Sequence, residues 1–149
     1  MKKGKIVVDI EKCLACRTCE IECVISHSKI KNLFEIIKSP DRFPGVKIKE
    51  IKTLNIPARC EHCDFPSCVL VCPANALKRE NGVVIVNNEK CIGCGFCVIA
   101  CPYGIPRINK ERRFIIKCDL CIDRLKENKY PACVNGCPTK AIKFIEVEE

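Results

Sequence analysis

The chain has no tryptophan and no glutamine, a single methionine, two histidines and only six phenylalanines and two tyrosines in 149 residues. So little aromatic bulk leaves a thin core, and something besides side-chain burial must hold the fold. Long apolar runs are missing too. The longest uncharged stretch, Cys91 to Pro106, has 16 residues and is broken by Cys, Gly and Pro, too short to span a bilayer. The opening MKKGKIVVDIEK carries Asp9 and Glu11 and has no apolar core of the kind that directs secretion. These absences predict a cytoplasmic protein in a reducing compartment. No Ser/His/Asp arrangement and no paired-carboxylate spacing emerges, so no catalytic site of those kinds is expected.

What is present instead is cysteine, sixteen residues in four blocks of four with none left over. The first block is Cys13, Cys16, Cys19 and Cys23, and the third is Cys91, Cys94, Cys97 and Cys101, both spaced C-x2-C-x2-C-x3-C. The second is Cys60, Cys63, Cys68 and Cys72, with x4 in the middle gap; the fourth is Cys118, Cys121, Cys133 and Cys137, with x11. Pro73, Pro102 and Pro138 follow three of the last cysteines, whereas Val24 follows Cys23. In a reducing compartment such density means metal rather than disulfides. C-x2-C pairs alone fit zinc ribbons, but three cysteines within seven residues plus a fourth before Pro is the pattern of [4Fe–4S] cubanes, one thiolate per iron. The spacing predicts three cysteines on a tight loop with amides facing the sulfurs, and a fourth opening a short helix that carries it to a neighbouring cluster. Four complete runs thus imply two pairs of clusters that exchange fourth ligands.

The charge is read in that light. Twenty-six Lys and Arg against 18 Asp and Glu give +8, a balance that by itself would suggest nucleic acid. Four oxidised clusters with their thiolates add about −8, so the excess is compensation for cluster charge. No helix-turn-helix or aromatic RNA-binding motif accompanies the lysines, and no nucleic-acid partner is expected.

The fold class expected is α+β: two bacterial-ferredoxin-like two-cluster units, the middle one inserted within the outer. Residues 60–109 form the inner unit, with Ala76-Leu77 leading through a Gly82 turn into the β-rich Val83-Val84-Ile85-Val86. Residues 1–59 plus 110–149 form the outer unit, from a strand over Ile6–Ile10 to a returning strand over Ala141–Val147. Ile108–Ile116 reads as a hairpin joining them, and Val46–Ile56 as one strand. Within a helical insert at about 28–38, Ile30, Leu33, Phe34 and Ile37 fall on one apolar stripe, ending before Ser39-Pro40 and covering the outer clusters or docking a partner. Asp119–Tyr130 reads as a short helix with Leu120 and Leu125 inward and Asp123, Arg124, Lys126 and Glu127 solvated. His62, inside the second block, is expected to donate a hydrogen bond to a cluster sulfur. His27, four residues past Cys23, is expected to make a structural one.

The four blocks, and above all Arg59-Cys60-Glu61-His62-Cys63-Asp64-Phe65-Pro66-Ser67-Cys68 followed by Cys72-Pro73, resemble the four-cluster ferredoxin-like electron-transfer subunits. These accompany dimethyl sulfoxide reductases and other molybdenum and tungsten oxidoreductases, formate dehydrogenases, hydrogenases and carbon monoxide dehydrogenases. The first block with Ser26-His27-Ser28 looks closest to the ferredoxin-like partner of nickel carbon monoxide dehydrogenase (CooF type). The resemblance implies four ligand sets: Cys13, Cys16, Cys19 and Cys137; Cys118, Cys121, Cys133 and Cys23; Cys60, Cys63, Cys68 and Cys101; Cys91, Cys94, Cys97 and Cys72. It implies that the four clusters lie in that order as a bent wire. It also implies one-electron transfer between a catalytic oxidoreductase, carbon monoxide dehydrogenase first, and a second redox protein. The alternatives are a formate or aldehyde oxidoreductase or a hydrogenase as the partner, a free-standing carrier serving several enzymes, and an iron–sulfur regulatory or structural module. The chain ends at Glu149 just after its last strand, which suggests a small shuttle without a membrane anchor. Full thiolate sets leave no iron open for catalysis, so no enzymatic activity of its own is expected.

Overall fold

The computed structural model describes residues 2–30, 32–39, 43–111 and 113–147. Among them the chain builds four two-stranded antiparallel ribbons and short helices. Its contacts divide it into two compact units, residues 1–59 with 120–149 and residues 60–119.

The first unit is closed by its two ends. Strand β1 (Gly4–Val8) pairs with the returning β8 (Ile142–Glu146), Ile6 opposite Phe144. Asp9 N–H extends the ladder to the Ala141 carbonyl at 2.8 Å, and Ile10–Lys12 then turns as a single 3-10 turn rather than continuing the strand. Lys2 ion-pairs with Glu146, which also accepts from the Tyr130 hydroxyl at 3.0 Å. The buried Arg59 guanidinium donates to the Ile6 carbonyl.

Helix α1 (Thr18–His27) packs on α6 (Ala132–Asn135) and on α2 (Leu33–Lys38). Val46–Ile56 is not one strand. Lys52 takes φ 54°, and the chain reverses there to form β2 (Lys47–Ile51) and β3 (Leu54–Ala58). The apolar alternation is interrupted at that point by Lys52-Thr53, which is the sequence trace of the turn. The Glu20 carboxylate accepts Ile48 N–H at 2.6 Å and ties α1 to β2.

Helix α2 starts later than its apolar stripe suggests, because Asn32 is extended and its side chain caps Phe34 N–H at 3.0 Å. It buries Ile36, while Leu33, Phe34 and Ile37 of the stripe are exposed. The helix ends at Lys38, with Ser39 extended; Pro40 lies outside the described residues. Helix α5 (Ile122–Lys126) buries Leu125, with Leu120 buried just before it. Arg124 is not merely solvated: its Nε donates to the Tyr130 carbonyl at 2.9 Å.

The second unit centres on buried Leu77, Val84, Cys97 and Ile115. Strand β4 (Leu77–Glu80) turns through Asn81 (φ 48°) and Gly82 (φ 79°) into β5 (Val83–Val86). Two consecutive left-handed residues match the twist of a two-residue hairpin, and Asn-Gly adopts them at least cost. The expected hairpin is β6 (Arg107–Asn109) with β7 (Phe114–Ile116). Buried Asn109 shapes its turn, accepting Glu111 N–H on Oδ1 at 3.0 Å and Arg113 N–H on its carbonyl at 2.8 Å. Ile115 packs β7 onto the Leu77–Val84–Cys97 core, so 110–119 folds with residues 60–109. Helices α3 (Ser67–Leu70) and α4 (Phe96–Ala100) complete the unit and pack on each other.

Candidate functional site

The four cysteine blocks share one backbone device. The residue just before the second cysteine is left-handed in each: Ala15 (φ 54°), His62 (φ 49°), Gly93 (φ 68°) and Leu120 (φ 61°). In the two x2-x2 blocks the residue after the second cysteine repeats it, Arg17 (φ 60°) and Gly95 (φ 80°), and serves as N-cap of α1 or α4. Left-handed residues among right-handed ones turn successive amides toward one side and make an anion-binding concavity. The sequence signal was visible only in the third block, where both positions are Gly.

The helices correct one expectation. The third cysteine of each block, not the fourth, lies in the short helix: Cys19 in α1, Cys68 in α3, Cys97 in α4 and Cys133 in α6. In three blocks the fourth cysteine falls after the helix, which stops at Leu70, Ala100 or Asn135. Pro73, Pro102 and Pro138 thus mark helix ends, where a residue that cannot continue a helix costs nothing. Cys23 is the exception. With Val24 in place of Pro, α1 runs a further turn to His27.

The folding gathers thiols from different blocks. Cys13, Cys16 and Cys19 line a cavity of about 280 Å³ together with Cys137 from the far end of the chain. Cys91, Cys94 and Cys97 line one of about 330 Å³ together with Cys72. Cys68 has Cys60, Cys63 and Cys101 as electrostatic neighbours. Cys23, Cys121 and Cys133 are buried, on α1, just before α5 and on α6; α1 and α6 pack together, and Cys118 belongs to the 60–119 unit.

Hydrogen bonds already point at the sulfurs. His62 N–H lies 3.4 Å from Cys60 Sγ, Ala76 N–H 3.3 Å from Cys72 Sγ and Gly45 N–H 3.3 Å from Cys23 Sγ. The Thr18 hydroxyl donates to Cys16 Sγ at 3.4 Å, and the Thr139 hydroxyl lies 3.7 Å from Cys137 Sγ. It is thus the backbone of His62 that serves a sulfur; its buried ring accepts Val84 N–H on Nδ1 at 3.0 Å. The His27 ring makes the structural bond expected of it, Nδ1–H to the Cys23 carbonyl at 2.7 Å. The sequence reading passed over Thr18 and Thr139, each two residues past a cysteine, a spacing that could have revealed them. Gly45, 22 residues from Cys23 in the chain, left no such trace.

Burial pushes the Cys19 thiol up to about 12 and Cys97 up to about 11, with nearby charged side chains and thiols adding to the push. It raises Cys68 as well; Cys60, Cys101 and Cys63 add to that, while the Lys117 ammonium opposes it. Hydrogen bonds from Thr18 lower Cys16. At Cys137 burial pushes upward but is outweighed by the amides of Ile142, Ala141 and Thr139 and the Thr139 hydroxyl, so the thiol is lowered. Several thiols in one cavity, raised by burial and by each other, are stable together only if something cationic replaces their protons. The donor set is all sulfur, with amides facing it, and this fits iron–sulfur cubanes.

These features define an iron–sulfur protein of the ferredoxin-like class. Residues 51–147 match the family described as the 4Fe-4S dicluster domain, and the chain belongs to that family. It is similar to an iron–sulfur-family chain of the anaerobic dimethyl sulfoxide reductase of Escherichia coli (strain K12), 36 % identical over 149 residues, covering 95 % of this chain and 73 % of that one. It is also similar to the formate dehydrogenase iron-sulfur subunit of Haemophilus influenzae, 34 % identical over 96 % of this chain and 51 % of that one. A tetrathionate reductase subunit of Salmonella typhimurium is 36 % identical over 89 % of this chain and 53 % of its own length. The chain carries four [4Fe–4S] clusters and is an electron-transfer iron–sulfur protein. No helix among the described residues is long and apolar enough to cross a membrane.

Proposed function

We propose that the chain is the electron-carrying subunit of a dimethyl sulfoxide reductase- or formate dehydrogenase-like oxidoreductase. The observation that carries this reading is the pairing of distant cysteines, Cys137 with Cys13, Cys16 and Cys19, and Cys72 with Cys91, Cys94 and Cys97. It supports the ligand sets Cys13/Cys16/Cys19/Cys137 and Cys91/Cys94/Cys97/Cys72, and the neighbours of Cys68 support Cys60/Cys63/Cys68/Cys101. The remaining four, Cys118, Cys121, Cys133 and Cys23, make the fourth set. The clusters supply one-electron storage and release. The protein's own part is to hold thiolates in place, aim amides and hydroxyls at them and exclude water.

The names of the relatives favour this partner class over carbon monoxide dehydrogenase, which draws no support from them. Phe34, Phe65, Leu70 and Ile99 are each at least 80 % exposed, which suits a chain that works in contact with other subunits. The test is to purify the tagged chain without oxygen together with whatever holds it. The expected result is about sixteen iron atoms per chain and co-purifying molybdenum or tungsten. Nickel in their place would restore the carbon monoxide dehydrogenase or hydrogenase reading, and zinc as the main metal would overturn the cluster assignment.

A further inference from the structure

Lys117 is the one lysine among the described residues whose ammonium the structure ties to two backbone carbonyls beside a set of cysteines. It follows β7, and its Nζ donates to the Val84 carbonyl and, at 2.5 Å, to the Cys118 carbonyl. Val84 is buried in the core of the 60–119 unit, with Cys68 packed against that core. Two carbonyls hold the charge in one place, half-buried, where water screens it less than it screens a free surface lysine. Of the side chains acting on Cys68, Lys117 is the cation.

We propose that Lys117 is a positioning residue that sets the potential of the cluster held by Cys60, Cys63, Cys68 and Cys101, making it easier to reduce. This rests on the ligand assignment above. Reduction adds one electron and takes the cluster with its four thiolates from about −2 to about −3. A fixed positive charge stabilises the more negative state more strongly and raises the potential. No bond forms or breaks and no proton moves; Lys117 keeps its charge and its two carbonyls in both states.

The test compares three variants of the full chain purified with its clusters: Lys117→Met, which removes charge and donor; Lys117→Gln, which keeps a donor without charge; and Lys117→Arg, which keeps charge. Redox titration is followed by electron paramagnetic resonance. The couple in question is identified as the one altered in Cys68→Ser. Met and Gln are expected to lower that couple by about a tenfold change in its reduction equilibrium, about 59 mV for one electron, with the other three unmoved and iron content at the wild-type level. Arg is expected to leave it near the wild-type value. Unchanged potentials in Met and Gln, or an equal shift in Arg, would overturn the proposal. So would loss of one cluster's iron in Gln and its retention in Arg, which would make Lys117 a brace for the hairpin. If the wild-type chain itself lacks four clusters, the ligand assignment fails rather than Lys117.

Discussion

Gly93 lies between the first two cysteines of the third block, and there glycine meets two demands at once. Its φ of 68° disfavours a side chain, and a Cβ would lie 2.4 Å from the Arg113 carbonyl oxygen on the turn of the β6–β7 hairpin. Gly82 shares the first demand (φ 79°) but has open space around it. Gly82→Ala should therefore cost about 1 kcal/mol, the left-handed penalty alone. Gly93→Ala should cost at least about 2 kcal/mol more, because backbone cannot yield as a side-chain tip can. Thermal melts of the cluster-loaded variants check the difference, and equal costs would mean that the close approach is unimportant. At Ala15 and Leu120 the same left-handed conformation is borne by residues that pay for it. Those positions were invisible in the sequence, since nothing in Ala or Leu announces a positive φ. The cysteines themselves were legible because metal chemistry fixes both their type and their spacing.

Helix α1 shows how one residue decides the length of an element. Three blocks end their helix around the fourth cysteine and follow it with Pro; the first block has Val24 and continues to His27. That extra turn brings the His27 ring to the Cys23 carbonyl and buries Val24. Val24→Pro should cost about 3 kcal/mol or more by removing a helical N–H and crowding the preceding turn. Pro102→Val should change stability by less than about 1 kcal/mol, because α4 has already ended and Cys101 is extended. Denaturant titration of both variants with clusters in place checks this; a tolerated Val24→Pro would show that the last turn of α1 is dispensable. Elements with a turn signal or a β-branched run, such as Asn81-Gly82 before β5, could be read from the sequence. Periodicity misled at α2, where the i, i+3, i+4, i+7 stripe is exposed and Ile36, outside it, is buried. It also hid the Lys52 reversal between β2 and β3, because no Gly or Pro marks it.

For the molecule as a whole, the thinness of the core places stability in the cysteine sites. Several of the buried residues are themselves cysteines: Cys19, Cys23, Cys97, Cys121, Cys133 and Cys137. The two cavities lined by thiols would lose their contents and their cross-links on removal of iron. Oxidative chelation of iron should therefore unfold the chain rather than yield a folded apo-protein. Loss of far-ultraviolet dichroism and collapse of amide dispersion would follow loss of iron; a well-dispersed spectrum of the iron-free chain would count against it. Alkaline pH should not rescue the fold. With Cys19 raised to about 12 and Cys97 to about 11 in the folded state, the folded chain keeps protons that the unfolded chain gives up near the ordinary thiol value of 9.0. Their contribution to the metal-free fold is complete below that value and disappears as pH climbs through the folded-state values. Any residual structure in the iron-free chain should thus diminish between about pH 9 and pH 12, while iron, by taking the place of those protons, removes the dependence. Dichroism of the two forms across that range would separate them, and an iron-free chain that gains structure with rising pH would contradict the burial of these two thiols.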